Sequence, residues 1–245
     1  MTRRAVILAG GRGTRLAPYT TVLPKPLLPV GDRAILDVVV RQLCQAGIDR
    51  LTIAVGHLAH LIEAVFGDGK RHGVHIEYEV ESEPRGTAGP LATIAGLDET
   101  FLMLNGDVLT TLDFRELIRA HHAAGNALTI ATHRREVFID YGVLHADGTD
   151  RVVAYDEKPT LSYTVSMGVY VLEPGTRDYV PRDVPFDFPD LVQALLAAGE
   201  RVGSLLYDGY WLDIGRHDDY ERAIAEFEGL LPQLLPADGP DASDR

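Results

Sequence analysis

Residues 6–30 read Val6-Ile7-Leu8-Ala9-Gly10-Gly11-Arg12-Gly13-Thr14-Arg15-Leu16-Ala17-Pro18-Tyr19-Thr20-Thr21-Val22-Leu23-Pro24-Lys25-Pro26-Leu27-Leu28-Pro29-Val30. An apolar run, Val6 to Ala9, stops at a glycine-rich turn, and Lys25 follows between two prolines. Nothing alternates in the run, which is the pattern of a strand buried on both faces in a parallel sheet. Glycines let the chain turn tightly after that strand and approach a ligand closely, because no Cβ intervenes. Exposed backbone N–H groups in such a turn attract anions, and Arg15 adds a planar fork of donors suited to phosphate oxygens. The prolines restrict the backbone around Lys25. The stretch reads as a polyphosphate site opening an α/β domain. It is not a dinucleotide fingerprint, since position 16 is Leu where a third glycine belongs, and no Lys-Ser or Lys-Thr completes a P-loop.

Outward from this stretch, short apolar runs at 4–9, 51–55, 74–80 and 101–105 alternate with helical patterns at 34–46, 57–66, 88–96 and 113–124. That order predicts a parallel sheet wound through right-handed crossovers. After residue 126 the texture changes. Segments 127–134, 142–146, 151–156 and 163–173 read as strands with turns at Asp147-Gly148 and Glu173-Pro174-Gly175, and helices follow at 187–199 and 217–229. The expected fold class is α/β, a Rossmann-like mixed, mainly parallel sheet with helices on both faces. One domain over 1–231 is expected, with a nucleotide-binding half (1–126) and a second half (127–231). Residues 232–245, rich in Pro, Asp and Ala, read as a disordered tail. No hexapeptide repeat appears, so fusion to a β-helical acyltransferase is not expected.

The chain has 245 residues, 46% of them apolar, and a net charge of −13. This size supports one sizeable core. No apolar run approaches a membrane span, and no signal peptide opens the chain. The lone Cys44, inside a helical pattern, excludes an internal disulfide and a cysteine metal cluster and reads as a packed thiol. The cytoplasm is therefore the expected compartment. With no basic stripe to offset the charge, nucleic acid is not an expected partner. A polyanion ligand then has to be met by a few focused cations and divalent metal ions.

Four further segments carry chemistry. Phe101-Leu102-Met103-Leu104-Asn105-Gly106-Asp107 runs an apolar strand into a carboxylate at the edge where α/β sheets bind ligands. Asp107 suits a hard cation such as Mg²⁺, or else is an ordinary turn or capping aspartate. Gly209-Tyr210-Trp211-Leu212-Asp213-Ile214-Gly215 holds the sole tryptophan; Asp213 reads alone as a cap for the last helix. In Tyr155-Asp156-Glu157-Lys158-Pro159 the lysine precedes proline and is expected to be extended, although a Glu-Lys pair on a solvated turn is the plainer reading. In Glu81-Ser82-Glu83-Pro84-Arg85-Gly86-Thr87-Ala88-Gly89-Pro90-Leu91, Thr87 reads as an N-cap. The carboxylates there are either solvated or face a donor-rich base edge, as guanine presents.

The run G-G-x-G-T-R-L-x-P-x-T followed by P-K-P resembles the signature of the sugar-phosphate nucleotidyltransferases, and the resemblance extends over about residues 4–230. The string E-P-x-G-T-A-G-P-L looks like that of the mannose-1-phosphate guanylyltransferases, which with heptose-1-phosphate guanylyltransferases are nearest in look. The resemblance implies the nucleotide-diphospho-sugar transferase fold, an NTP (GTP favoured) and a sugar 1-phosphate as substrates, Mg²⁺ as cofactor, and a homodimer. It implies catalytic roles for Arg15, Lys25, Asp107, Lys158 and Asp213, with metal on Asp107 and Asp213. Leu8, Ala9, Gly10, Gly11, Gly13, Thr14, Glu81, Gly86, Thr87 and Asn105 would bind the nucleotide. Tyr141, Gly142, Glu157, Lys158, Ser166 and Trp211 would bind the sugar phosphate. The chain departs from the family at Ser166-Met167-Gly168, where N-A-G is usual, which leaves mannose, a modified hexose or a heptose open. Uridylyl, thymidylyl, cytidylyl or adenylyl transfer is the alternative within the class. A non-catalytic sensing homologue and an NAD-dependent sugar oxidoreductase are the alternatives outside it. The first would be expected to lose Lys25, Asp107, Asp213 or Lys158; the second lacks its third glycine.

Overall fold

The computed structural model describes residues 2–81 and 83–236. Strand β1 (Arg4–Ala9) leads into a small hairpin, β2 (Pro29–Val30) and β3 (Arg33–Ala34), and then helix α1 (Ile35–Gln45). Next come β4 (Arg50–Val55), α2 (Ala59–Phe66), β5 (His75–Val80), β6 (Phe101–Asn105), β7 (Val108–Thr110) and α3 (Phe114–Ala124). The second half contains β8 (Leu128–Phe138), β9 (Val143–Ala146), β10 (Val152–Asp156), β11 (Thr160–Leu172) and α4 (Phe188–Ala197). It closes with β12 (Val202–Leu206), β13 (Trp211–Asp213) and α5 (His217–Leu234).

The main sheet has seven strands in the order β12-β8-β11-β6-β1-β4-β5. Six strands run one way; β11 alone is antiparallel to its neighbours β6 and β8. Alternation along the strands builds two cores. In β1, Ala5, Ile7 and Ala9 face Leu36, Val40 and Leu43 of α1 and Phe66 of α2, whereas Val6 joins Leu191 and Leu195 of α4 on the other face. Both faces are apolar, so the strand reads as a continuous hydrophobic run. Each fully buried Ile, Leu or Phe side chain stabilises the platform by roughly 1.5–3 kcal/mol.

This topology positions the site. The chain leaves β1 toward β4 and leaves β6 toward β8 and β11, on the opposite side, so the outgoing connections diverge between two neighbouring strands. A crevice at their carboxyl ends is the expected ligand position. Gly106 sits there, its N–H donating to the Leu8 carbonyl at 2.9 Å. A Cβ at Gly106 would lie 3.1 Å from that oxygen, so a small residue is needed between β6 and Asp107.

Several expectations are corrected. No α-helix spans 88–96: Gly89–Ala92 form one 3₁₀ turn, entirely buried. A segment apolar on every side wedges into the core rather than presenting one amphipathic face. Thr87 is consequently not the N-cap of such a helix. Its N–H and hydroxyl donate to Asp187 Oδ1 (2.9 and 3.2 Å), and its Oγ1 accepts from the Phe188 N–H at 2.8 Å, which ties the loop to the start of α4. Strand β12 has a weak pattern because Gly203 is required, as any Cβ there would collide with the Asn126 side chain.

The proposed tail from 232 is also corrected over 232–236. Helix α5 continues through Pro232 to Leu234, which is buried. Gln42 Nε2 donates to the carbonyls of Leu234 (3.0 Å) and Thr110 (2.7 Å), and Gln45 Nε2 donates to Pro236 O at 3.0 Å. Residues 237–245 lie outside the described residues. Gln42→Ala removes two buried hydrogen bonds and leaves two carbonyls unpaired. Urea unfolding should show a stability loss of about 2 kcal/mol, and limited proteolysis should cut earlier after residue 230.

Candidate active site

Residues 10–15 leave β1 and close on themselves. Gly13 is left-handed (φ 62°), its carbonyl accepts from Leu16 N–H (2.9 Å) and Thr20 Oγ1 (2.8 Å), and a Cβ on it would press on Thr20 and Lys25. Gly11 faces open space. A side chain at Gly10 would strike Glu81 Oε2 at 2.6 Å, so the Glu81 carboxylate borders the glycine turn directly. Leu8, Ala9, Gly10, Gly11, Gly13, Thr14, Arg15 and Lys25 line a cleft of about 640 Å³ on one side. Glu81, Gly86, Thr87, Asn105 and Asp107 line the same cleft from the others.

Lys25 heads a short 3₁₀ turn entered through the extended Pro24. Its ammonium pairs with Asp107 Oδ2, both side chains being largely buried (12% and 19% exposed). Asp107 Oδ1 is buried without a partner. No helix follows Asp107, so it caps nothing; β7 begins at the next residue. That strand pairs antiparallel with β13, setting Asp213 opposite Val108, and Ile214 N–H donates to Asp107 O at 3.3 Å. Two carboxylates more than a hundred residues apart in sequence thus meet at one sheet edge. Asp213 is not the cap of α5 either, since Gly215 N–H and Arg216 N–H donate to Asp219 Oδ2 (3.3 and 2.9 Å). Arg15 lies against Gly215 on the same side. The enclosing protein, then the Asp107 charge, push the Asp213 carboxyl above the usual range, against the pull of Lys25 and Arg15.

At the opposite wall, burial pushes the Glu81 carboxyl up, while the Arg85 N–H it accepts at Oε1 (3.1 Å) pulls it down. Gly86 is left-handed (φ 79°) and packs on the Phe186 carbonyl. Gly56, His57 and Arg85 also line the cleft and escaped sequence reasoning. Gly56 is needed because a Cβ would lie 2.9 Å from Gly10 O. The available signal was its place just past an apolar strand.

The sugar-side residues fall into two groups. Ser166 and Trp211 gather at a bulge in β11, without lining the cleft themselves: after Ser166 the bulge brings left-handed Gly168 (φ 73°) against Asn105, which does line it. Trp211 Nε1 donates to Met167 O at 3.0 Å, Ser166 Oγ donates to Tyr170 Oη at 3.2 Å, and Met167 is buried. Tyr141, Gly142, Glu157 and Lys158 belong to the exposed β9–β10 hairpin and its flanks, away from the cleft lining. Tyr141 is 79% exposed, Tyr155 packs on Gly142 and donates to Glu157, and Lys158 Nζ pairs with Asp140 Oδ1 at 2.8 Å. Lys158 is not extended as expected before proline but left-handed (φ 47°). The chain must swing from β10 into β11 within three residues, and this overrides the local preference.

A glycine turn after a buried strand, a lysine fixed by proline-entered backbone and the carboxylates Asp107 and Asp213 thus gather at the switch point of an α/β sheet, where such folds bind ligands. Residues 4–229 match the family model described as nucleotidyl transferase, and the chain belongs to that family. It is 34% identical over 236 residues to mannose-1-phosphate guanylyltransferase of Mycobacterium tuberculosis, covering 93% of this chain and 66% of that one. Identity is also 34% over 241 residues to UTP–glucose-1-phosphate uridylyltransferase of Synechocystis, covering 90% and 62%. The chain thus spans just under two thirds of the length of these relatives. The crystal structure of HddC from Yersinia pseudotuberculosis complexed with GMP-PN superposes with a TM-score of 0.70 at 25% identity, covering 92% of this chain and all of that one. Among the described residues no helix is long and apolar enough to cross a membrane.

Because Asp213 in the folded chain ionises at higher pH than in an unfolded one, its charged form opposes folding. That penalty is absent below the ordinary carboxylate range and full above the folded value. Asp213→Asn should therefore raise the Tm of the metal-free protein near pH 7 and leave it unchanged near pH 3, as read by calorimetry.

Proposed function

We propose that the chain transfers a nucleotidyl group from an NTP, with GTP favoured, to a sugar 1-phosphate, giving an NDP-sugar and pyrophosphate. The observation that carries the reading is the Lys25–Asp107 pair, with Asp213 beside it, at the mouth of the glycine turn. A sugar-phosphate oxygen attacks the α-phosphorus in line as the bond to the β-phosphate oxygen breaks. The nucleophile is already anionic, so no general base is required, and the protein's work is positioning and charge neutralisation. The 11–14 backbone and Arg15 would hold the departing pyrophosphate. Lys25 would share its charge between the two phosphates as they approach.

The chemistry of the donor set fits Mg²⁺: Asp107 keeps one buried oxygen unpartnered, and Asp213 stands beside it. These two carboxylates would hold the ion, which when bound neutralises phosphate charge. Glu81, an acceptor without a donor, supports guanine, whose N1–H and N2–H₂ lie side by side. Tyr141, Gly142, Glu157, Ser166 and Trp211 would surround the sugar, mannose or heptose, and Lys158 would exchange Asp140 for the sugar phosphate.

Lys25→Ala should lower kcat by about 10²-fold or more with little change in KM, measured as pyrophosphate release from GTP with mannose and heptose 1-phosphates. A near-normal kcat contradicts the assignment. Glu81→Gln should lower kcat/KM for GTP at least roughly tenfold while affecting UTP far less. Equal losses for both nucleotides would remove Glu81 from base recognition.

A further inference from the structure

At the opposite end of the strands from the glycine-turn cleft, β11 ends beside the start of β6 and Glu173 follows it. There the last turn of α3 carries adjacent histidines, His121 and His122. His121 is buried (side chain 1% exposed), and His122 and Glu173 are half open. His121 Nε2 lies 2.9 Å and His122 Nδ1 4.0 Å from Glu173 Oε1. All three ligand atoms fall within 4.8 Å of one another. Four-coordinate bonds of the usual length put neighbouring ligand atoms about 3.3 Å apart, and 2.9 and 4.0 Å straddle that value.

Three surrounding features suit a cation. His121 Nδ1 is already held by Thr129 Oγ1 at 2.9 Å, so Nε2 can serve as ligand with the proton on Nδ1. The negative end of the α3 dipole points at the cluster. A neighbouring cleft of about 520 Å³, lined by Glu173, Asp178 and Glu200 against the single cation Arg201, offers room for water on the ion. Two imidazoles and one carboxylate favour Zn²⁺ or a similar transition ion over Mg²⁺. We propose that His121, His122 and Glu173 form a second divalent-metal site, separate from Asp107 and Asp213, that clamps the end of α3 to the end of β11 and stabilises the fold without taking part in the reaction.

The test uses tag-free, metal-stripped protein with excess Mg²⁺ present to occupy the nucleotide site. One equivalent of Zn²⁺ should bind saturably by calorimetry and raise Tm by roughly 3 °C or more. Co²⁺ should give the visible absorption of a four- or five-coordinate site. His122→Ala, at a half-exposed position that folding tolerates, should abolish the Tm shift and the Co²⁺ spectrum and leave nucleotidyl transfer unchanged. Glu173→Gln should abolish the same two signals. Absence of saturable Zn²⁺ binding in the unmodified chain overturns the proposal. Retention of the binding and the spectrum in either variant does so too, and would leave His121 as a buried histidine satisfied by Thr129 and Glu173 alone.

Discussion

Two carboxylates of like charge, Asp107 and Asp213, are held side by side by the β7–β13 backbone pairing, with Lys25 paired to Asp107 and Arg15 nearby as the cations that oppose them. Left to themselves such groups move apart or take up a proton. The ladder hydrogen bonds prevent the first; burial, and after it the charge of Asp107, push the Asp213 carboxyl toward the second. The arrangement has room for more positive charge on the acids and more negative charge on the lysine, which under the proposed function a divalent cation and bound phosphates would together supply. The rest of the site serves that pairing. Gly106 gives Asp107 a close approach to β1, the 3₁₀ turn fixes Lys25, and Asp219 takes over the cap of α5 so that Asp213 stays available.

The same economy explains how an acidic chain can attract polyanions. With a net charge of −13, the protein as a whole repels phosphate. Under the proposed function, the glycine turn, Arg15 and Lys25 would have to concentrate their positive charge within one cleft, where low-dielectric walls strengthen it. The exposed β9–β10 hairpin carries Lys158 paired to Asp140, outside the cleft, and under the proposed function that ammonium would have to leave Asp140 to meet the sugar phosphate.

The parallel core and the convergence of the glycine turn, Lys25 and Asp107 on one cleft were legible in the sequence because backbone requirements leave their mark there. A glycine turn after a buried strand, a proline-flanked lysine and an aspartate at a strand end each follow from local geometry. What escaped depended on distant partners. Gly56 is dictated by Gly10, Gly203 by Asn126, and the Thr87 bonds by Asp187, none of them near in sequence. The meeting of Asp213 with Asp107 was open to family likeness but not to spacing, since strands of three residues carry too little pattern to announce their pairing. The ordered end of α5 was hidden by Pro232 and by a composition typical of tails; Gln42 and Gln45 of α1 and the burial of Leu234 show why it stays helical.

The most direct test of the central claim is ³¹P NMR of the chain incubated with Mg²⁺, GTP and mannose or heptose 1-phosphate. The account predicts that the sugar-phosphate and GTP signals fall together as equal amounts of an NDP-sugar and pyrophosphate appear, and that Asp107→Asn and Asp213→Asn each stop the conversion. Release of orthophosphate, or undiminished conversion in either variant, would contradict it.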